Sequence, residues 1–394
     1  MMKLLHTADW HLGARLVERE RLPEQVRFLD WLLEVMAEEK VEVLLVAGDV
    51  FDVANPSRQA LALYYDFLHR LVDLKTVRAV ITAGNHDSAS QLNGPRDLLG
   101  RLGVTVVGEA LEPEAAWVDL GEVRVAAVPF LRERDLRRSG AGESVVEVEA
   151  QVRAAIAEHY ARVLAAGRAL PGKKPLLAMG HLTALGAVTS EGERDIHVGN
   201  LGAVGAEVFA GYDYVALGHL HRAQVVGGME TVRYSGSPLA LSFSEAGDGK
   251  SVTLVEVEAG GAMRVNPLAV PVWRPLQRLS TELDGLEQVL RGAMAEAWVE
   301  LTVRLDQPEP GLDAWVREVA AGLGGGREVL KVVADLPLAQ REPWEQAGPT
   351  LEEWDPPRVF AERMIAAGVA ETAREELMAT FLELLAEREA RETL

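Results

Sequence analysis

The sequence predicts a layered α/β fold carrying more than one domain. Short apolar runs alternate with amphipathic helical stretches from residue 3 to about residue 130, and residues able to bind metal ions follow the ends of those runs. At 394 residues the chain is also too long for one ordinary domain.

The first strand is expected at residues 3–7. Residues 24–39 and 57–74 carry apolar side chains at helical spacing, and the runs 41–47 and 77–82 read as buried strands. The second helix shows Leu61, Tyr64, Tyr65, Leu68 and Leu71, and a later helical stretch shows Leu98, Leu99 and Leu102, more apolar surface than one core-facing stripe requires. Further strands are expected at 123–129, 176–179, 214–217 and 251–257, with a helix around 145–166. Pro271 and Pro275, flanking Trp273, close a first domain at 1–272. Beyond them, strand–helix–strand–helix–strand patterning at 276–281, 286–297, 299–305, 312–322 and 328–336 predicts a small α/β capping domain at 273–342. A proline-rich connector, 343–357, leads to expected helices at 358–367 and 370–391, so the last segment is 343–394.

Composition narrows the chemistry. With no cysteine, disulfides, zinc-thiolate sites, iron–sulfur clusters and cysteine nucleophiles are excluded together. No apolar run approaches the roughly 20 residues that span a bilayer, and no charged-then-apolar leader opens the sequence, so a soluble cytoplasmic protein is expected. The formal charge of −20 argues against a surface that is basic all over, the usual footprint of a nucleic-acid binder. That objection weakens if arginines grip DNA locally, or if metal ions cancel nearby carboxylates. Residues 351–394 hold eleven Asp and Glu against five Arg and no Lys, which suits a protein-contact segment better than a DNA surface.

Five short segments place His, Asp or Asn beside or near glycine after an apolar run: Asp9-Trp10-His11, Gly48-Asp49-Val50-Phe51-Asp52, Gly84-Asn85-His86-Asp87, Gly180-His181 and Gly218-His219-Leu220-His221. Glycine permits a sharp turn and a close approach of backbone to ligand. In an extended segment residues two apart point the same way, so Asp9 with His11, and His219 with His221, can converge. Carboxylate, amide and imidazole donors suit manganese, iron(II) or zinc better than magnesium or calcium. Two such ions roughly 3.5–4 Å apart supply the charge and Lewis acidity for phosphate-ester hydrolysis without a protein nucleophile, and none is evident. One such segment alone signals little, because strand-end histidines often only cap a turn. Five in order are hard to explain as packing. His6, His69 and His159 read as structural, and His197, in a polar loop, fits either reading.

These ordered motifs resemble those of calcineurin-type metallophosphoesterases. More closely, Leu5-His6-Thr7-Ala8-Asp9-Trp10-His11-Leu12-Gly13, Ala216-Leu217-Gly218-His219-Leu220-His221-Arg222-Ala223-Gln224 and Tyr234-Ser235-Gly236-Ser237-Pro238 resemble the SbcD family, nuclease subunits of bacterial SbcCD complexes related to the double-strand-break repair nucleases of archaea and eukaryotes. The likeness covers essentially the whole chain. It implies a four-layer αββα sandwich and an Mn²⁺-dependent enzyme: a 3′→5′ exonuclease on double-stranded DNA ends and an endonuclease on single strands and hairpins.

By the same resemblance, Asp9, His11, Asp49 and His221 hold one metal ion and Asp49, Asn85, His181 and His219 the other, with Asp49 bridging. His86 corresponds to the histidine that steadies the scissile phosphate and protonates the leaving oxygen. Archaeal relatives have histidine where this chain has Asp52, which leaves Asp52 between orienting a ligand and capping a helix. Arg96, Arg194 and Arg222 are candidate DNA contacts, with residues 190–200 as a loop along the DNA path. The resemblance also implies a homodimer through the 57–74 region. Val359, Phe360, Met364, Leu377, Phe381 and Leu384 then form an apolar face that docks on an SbcC-like coiled-coil ATPase; packing on the chain's own capping domain is the alternative for that face. Two rival functions are a small-molecule phosphodiesterase with the same dinuclear core and a non-catalytic DNA-end-binding scaffold.

Overall fold

A computed structural model describes residues 1–136, 145–185, 187–188 and 203–337, with scattered positions between Phe360 and Phe381. Two six-stranded sheets dominate. In the first, β1 (Met2–Thr7), β4 (Val43–Ala47), β5 (Arg78–Thr82) and β6 (Val104–Val107) run parallel, and β13 (Ser251–Val257) and β14 (Met263–Ala269) extend it antiparallel beyond β1. In the second, β8 (Arg124–Ala126), β9 (Leu176–His181), β10 (Tyr214–Gly218) and β12 (Met229–Tyr234) run parallel, with β7 (Trp117–Asp119) and β11 (Gln224–Val226) antiparallel at the edges.

Strand periodicity explains the layering. Side chains alternate faces along a strand, so a strand covered on both sides reads as an unbroken apolar run. In β4, Val43, Leu45 and Ala47 face the other sheet, while Leu44 and Val46 face α1 (Leu22–Glu38) and α2 (Arg58–Asp73). In the second sheet, Leu177, Met179, Tyr214 and Ala216 complete the inter-sheet core, while Ala178, Val215 and Leu217 pack beneath the helix Val145–Ala169 through Ile156, Tyr160 and Val163. The result is helix, sheet, sheet, helix, as the resemblance implies. Each fully buried aliphatic or aromatic side chain in these layers contributes about 1.5–3 kcal/mol relative to exposure. His6 crosses between the sheets, with Nδ1 2.9 Å from the Tyr214 hydroxyl and Nε2 3.2 Å from the Leu217 carbonyl, in keeping with a structural role.

Several expected elements take different bounds. The run at 123–129 forms only the three-residue β8, and the helix expected at 286–297 ends at Gly292, where Ala293 is extended. A short hairpin, β2 (Arg15–Leu16) and β3 (Arg19–Glu20), follows the first motif loop. The later strands β15 (Leu276–Glu282), β16 (Trp298–Arg304) and β17 (Glu328–Asp335) form a three-stranded sheet. Leu16, Phe243, Leu276, Trp298 and Leu330 share one small core that joins this sheet to the sandwich.

By its contacts the chain divides into Met1–Val303 with Gly311–Val333, and Arg304–Pro310 with Ala334–Leu394. In the second unit Phe360 and Phe381 stack with ring centroids 4.2 Å apart, Met364 is buried and Leu377 is exposed. Val359 and Leu384 of the expected docking face lie outside the described residues. No helix among the described residues is long and apolar enough to cross a membrane.

Candidate metal centre

Parallel strands from both sheets deliver their following loops to one end of the sandwich. Asp9 and His11 follow β1, Asp49 follows β4, Asn85 and His86 follow β5, His181 ends β9, and His219 and His221 follow β10. The carboxyl ends of strands are where open α/β sheets place ligands.

The first two loops run side by side. Backbone N–H groups of Asp9, His11 and Leu12 donate to the carbonyls of Gly48, Asp49 and Val50 at 3.0, 3.0 and 2.9 Å. Asp87 ties in the third loop, its carboxylate accepting from the backbone N–H of Val50, Phe51 and Gly84. Asp9 Oδ1 reaches across to the other sheet and accepts from His219 N at 2.9 Å. Packing this close needs glycine. A Cβ on Gly48, which has φ +86°, would lie 2.2 Å from His181 Nδ1, and one on Gly84 would lie 2.1 Å from Asp49 Oδ1. Asp9, His11, Asp49 and His219 themselves adopt φ of 53°, 44°, 48° and 99°. Left-handed backbone costs a non-glycine residue of order 1–3 kcal/mol and persists only where surrounding contacts enforce it, a pattern that clusters at functional sites.

Donor atoms converge in overlapping sets. Those of Asp9, His11 and Asp49 lie within 4.8 Å of one another, as do those of Asp49, His181 and His219, so Asp49 belongs to both. Asn85 Oδ1 lies 2.9 Å from His181 Nε2 and 3.1 Å from His219 Nδ1. His221 stands beside His11 with ring centroids 5.3 Å apart. A third set, His11, Asp52 and His86, is less buried than the other two. All seven expected ligands thus share one site.

Whether these residues fit divalent cations is answered by their hydrogen bonding. His181 Nδ1 donates to the Ala47 carbonyl at 2.9 Å, which turns Nε2 toward Asp49 Oδ2 at 3.2 Å and Asn85 Oδ1, two acceptors. Asp9 Oδ2 and His11 Nε2 are buried with no hydrogen-bond partner among the described residues. Buried polar atoms are nearly always satisfied, so an unpartnered carboxylate oxygen and an imidazole nitrogen aimed into one cluster fit a cation. The electrostatics agree. Burial lowers the imidazoles of His11 and His181, yet Asp52 and Asp49 for the former and Asp49 for the latter raise both to about 9. Burial raises Asp49, and His181, His11 and His86 outweigh it, holding that carboxyl well below its usual range. Asp9 is raised, mainly by burial.

Supporting residues complete the picture. Asp52 Oδ1 lies 3.2 Å from His11 Nδ1, whereas Ser57 caps α2 through Ala60 N, so the helix-cap alternative for Asp52 is wrong. His86 Nδ1 donates to the Asp52 carbonyl at 2.7 Å, and its ring stands 4.8 Å from that of His11, whereas Asn85 meets His181 and His219. Of the candidate DNA contacts, Arg96 is exposed and lines a groove of about 800 Å³ with Asn85, Ser88, Ser90, Asn93 and Arg132. Arg222 instead directs its guanidinium at Asp248 and the Ser244 carbonyl, and Arg194 lies outside the described residues. Sequence reasoning missed Arg132, which donates to the Asp87 carbonyl, and Gln25, which accepts from Gly13 N and donates to the His11 carbonyl. It also missed Glu245, fully buried 3.2 Å from His221 Nδ1. Burial raises the Glu245 carboxyl, but His221 and Lys250 hold it well below its usual range.

Residues 2–223 match the calcineurin-like phosphoesterase family, and 272–367 match the type 5 capsule protein repressor C-terminal domain family. The chain therefore belongs to the calcineurin-like phosphoesterases, metal-dependent enzymes, which the donor set above fits. The SbcD subunit of nuclease SbcCD from Escherichia coli K12 is 37% identical over 392 residues, covering 96% of this chain and 97% of its own. The SbcD proteins of Rhodobacter capsulatus and Bacillus subtilis are 39% and 35% identical, covering 86% and 77% of this chain and 88% and 79% of theirs. Within its class the chain belongs to the SbcD family of SbcCD nuclease subunits. A solved dimetal phosphatase of Danio rerio superposes with a TM-score of 0.41 at 13% identity, covering 68% of this chain and 98% of its own.

Proposed function

We propose that this chain is an Mn²⁺-dependent DNA nuclease, a 3′→5′ exonuclease on double-stranded ends and an endonuclease on single-stranded and hairpin DNA. The observation that carries the reading is the pair of donor sets sharing Asp49, with Asp9 Oδ2 and His11 Nε2 buried without a hydrogen-bond partner among the described residues, the latter 3.6 Å from Asp49 Oδ2. A nuclease reading rests on likeness to the SbcCD nuclease subunits; the polarity and the choice of manganese rest on the resemblance of the sequence motifs alone.

Asp9, His11, Asp49 and His221 would hold one cation, and Asp49, Asn85, His181 and His219 the other. When bound, such a pair neutralises the phosphate and makes water nucleophilic at neutral pH. The protein supplies the geometry. Asp52 orients His11, Ala47 orients His181, and the Asp52 carbonyl holds His86 by its Nδ1–H, so that in the imidazolium form the Nε2–H would pass its proton to the departing 3′ oxygen and leave a neutral ring. Arg96 and Arg132 line the groove leading from Asn85 together with Asp87 and Glu109, and would be its phosphate contacts.

The chain would work in DNA repair in the cytoplasm, with an SbcC-like ATPase on its C-terminal segment. It would act as a homodimer through the face where Tyr65, Leu98 and Leu102 are exposed; light scattering showing only monomer at micromolar concentration would remove that part. Turnover of hairpin DNA and of a chromogenic phosphodiester under Mn²⁺ tests the substrate class. The proposal expects strong preference for DNA, and a preference for the small ester would assign the chain to small-molecule phosphodiesterases.

A further inference from the structure

His221 is gripped from outside the donor cluster by residues 24 and 29 positions along the chain. Glu245, in the short 3-10 turn Phe243–Glu245, places Oε1 3.2 Å from His221 Nδ1. Its Oε2 accepts from Lys250 Nζ, from Leu241 N at 3.2 Å and from Ser237 Oγ at 3.4 Å. Lys250 Nζ also donates to the His221 carbonyl and to Ser237 Oγ, each at 3.0 Å. Ring and backbone of one histidine are therefore fixed by one buried ion pair. Phe243 anchors the same turn in the small core with Trp298 and Leu330.

Stability alone does not explain such a pair. Apolar residues of similar volume usually stabilise a core as well or better, because taking two charges out of water is costly. Here the Lys250 ammonium donates to the His221 carbonyl, to Ser237 and to Glu245, and Glu245 Oε1 meets the His221 ring as well as Ser242 Oγ, so both charges bear on His221. We propose that Glu245 and Lys250 are positioning residues for His221. The carboxylate accepts the Nδ1 proton and so selects the tautomer that presents Nε2 to a divalent cation, while the ammonium fixes the backbone from which the ring projects. The inference rests on the metal-centre reading above.

Manganese binding to the full chain, followed by calorimetry and electron paramagnetic resonance, tests it. Wild type binds two ions. Glu245→Gln, nearly isosteric, should weaken the ion shared by Asp9, His11, Asp49 and His221 by roughly 10- to 100-fold while the other ion stays bound. Glu245→Leu with Lys250→Met removes both charges, so no unpaired buried charge remains. That double variant should keep its thermal midpoint in chelator and still show the loss at the same ion. In a His221→Ala background, Glu245→Gln should cause no further loss, because it acts through the ring. The inference is overturned if either variant binds both ions with wild-type affinity, or if Glu245→Gln weakens binding equally without His221. A wild type that binds fewer than two ions would overturn the metal-centre reading instead.

Discussion

Replacing Gly48 by alanine puts the packing of the site to a quantitative test. The residue has φ +86°, and an added Cβ would lie 2.2 Å from His181 Nδ1, 2.7 Å from its Cγ and 2.9 Å from Gly84 Cα. The left-handed backbone alone costs an L residue about 1–2 kcal/mol. The ring must also move, which breaks the 2.9 Å bond from His181 Nδ1 to the Ala47 carbonyl and leaves a buried acceptor unsatisfied, about 1–3 kcal/mol more. The sum is a loss of about 2–5 kcal/mol. Displacing His181 should also release the cation shared by Asp49, Asn85 and His219. Gly228→Ala is the control, since Gly228 has φ +73° but nothing within 4 Å of an added Cβ, so only backbone strain applies. Thermal unfolding in chelator and metal analysis after dialysis against Mn²⁺ give the two readouts. If Gly48→Ala keeps two ions and matches the control in stability, the assigned place of His181 is wrong.

His86→Ala should retain two ions and DNA binding while turnover falls about 10²–10⁴-fold, whereas Asp49→Ala should lose metal and activity together. Near-normal cleavage by a metal-loaded His86→Ala protein would remove the proton-donor role. Stability should depend on pH in opposite senses with and without metal. His11 and His181 are raised to about 9 from 6.5, so the stability they give the chelated protein is present below pH 6.5 and lost as pH rises through 9. Metal binding needs neutral imidazole, so the Mn²⁺-loaded protein should gain stability over that same window, and parallel melting curves would contradict the assignment. Deleting residues 350–394 should abolish copurification with an SbcC-like ATPase yet spare Mn²⁺-dependent cleavage of short substrates; a truncated chain that still copurifies refutes the docking role.

The parts of this molecule legible in the sequence share one physical property, burial on both faces. β4, β9 and β10 read as near-continuous apolar runs, and β5 as one flanked by Arg78 and Thr82, because each lies between two layers, and following those runs to their ends leads to the motif loops. Edge strands give no such signal. β14 alternates half-exposed with exposed residues up to Asn266 and then contains Pro267, which the sheet tolerates because no described strand pairs beyond it. β7, β8 and β11 are three residues long, too short for any period to show. The helix from Leu286 reads longer in the sequence than it is, because apolar residues continue to Ala297 although Gly292 ends it. At the site, ligands adjacent to glycine announce themselves, but Glu245, Lys250 and Gln25 do not. Their roles arise from tertiary contacts with His221 and His11, and an isolated acid or amide in sequence carries no trace of its partner.

Anomalous scattering from crystals soaked in manganese tests the dinuclear centre most directly, because it reports the number, identity and ligands of the ions at once. The account predicts two peaks roughly 3.5–4 Å apart, bridged by Asp49. One should be ligated by Asp9, His11 and His221, the other by Asn85, His181 and His219. A single peak, or an ion held by His11, Asp52 and His86 in the third donor set, would contradict it.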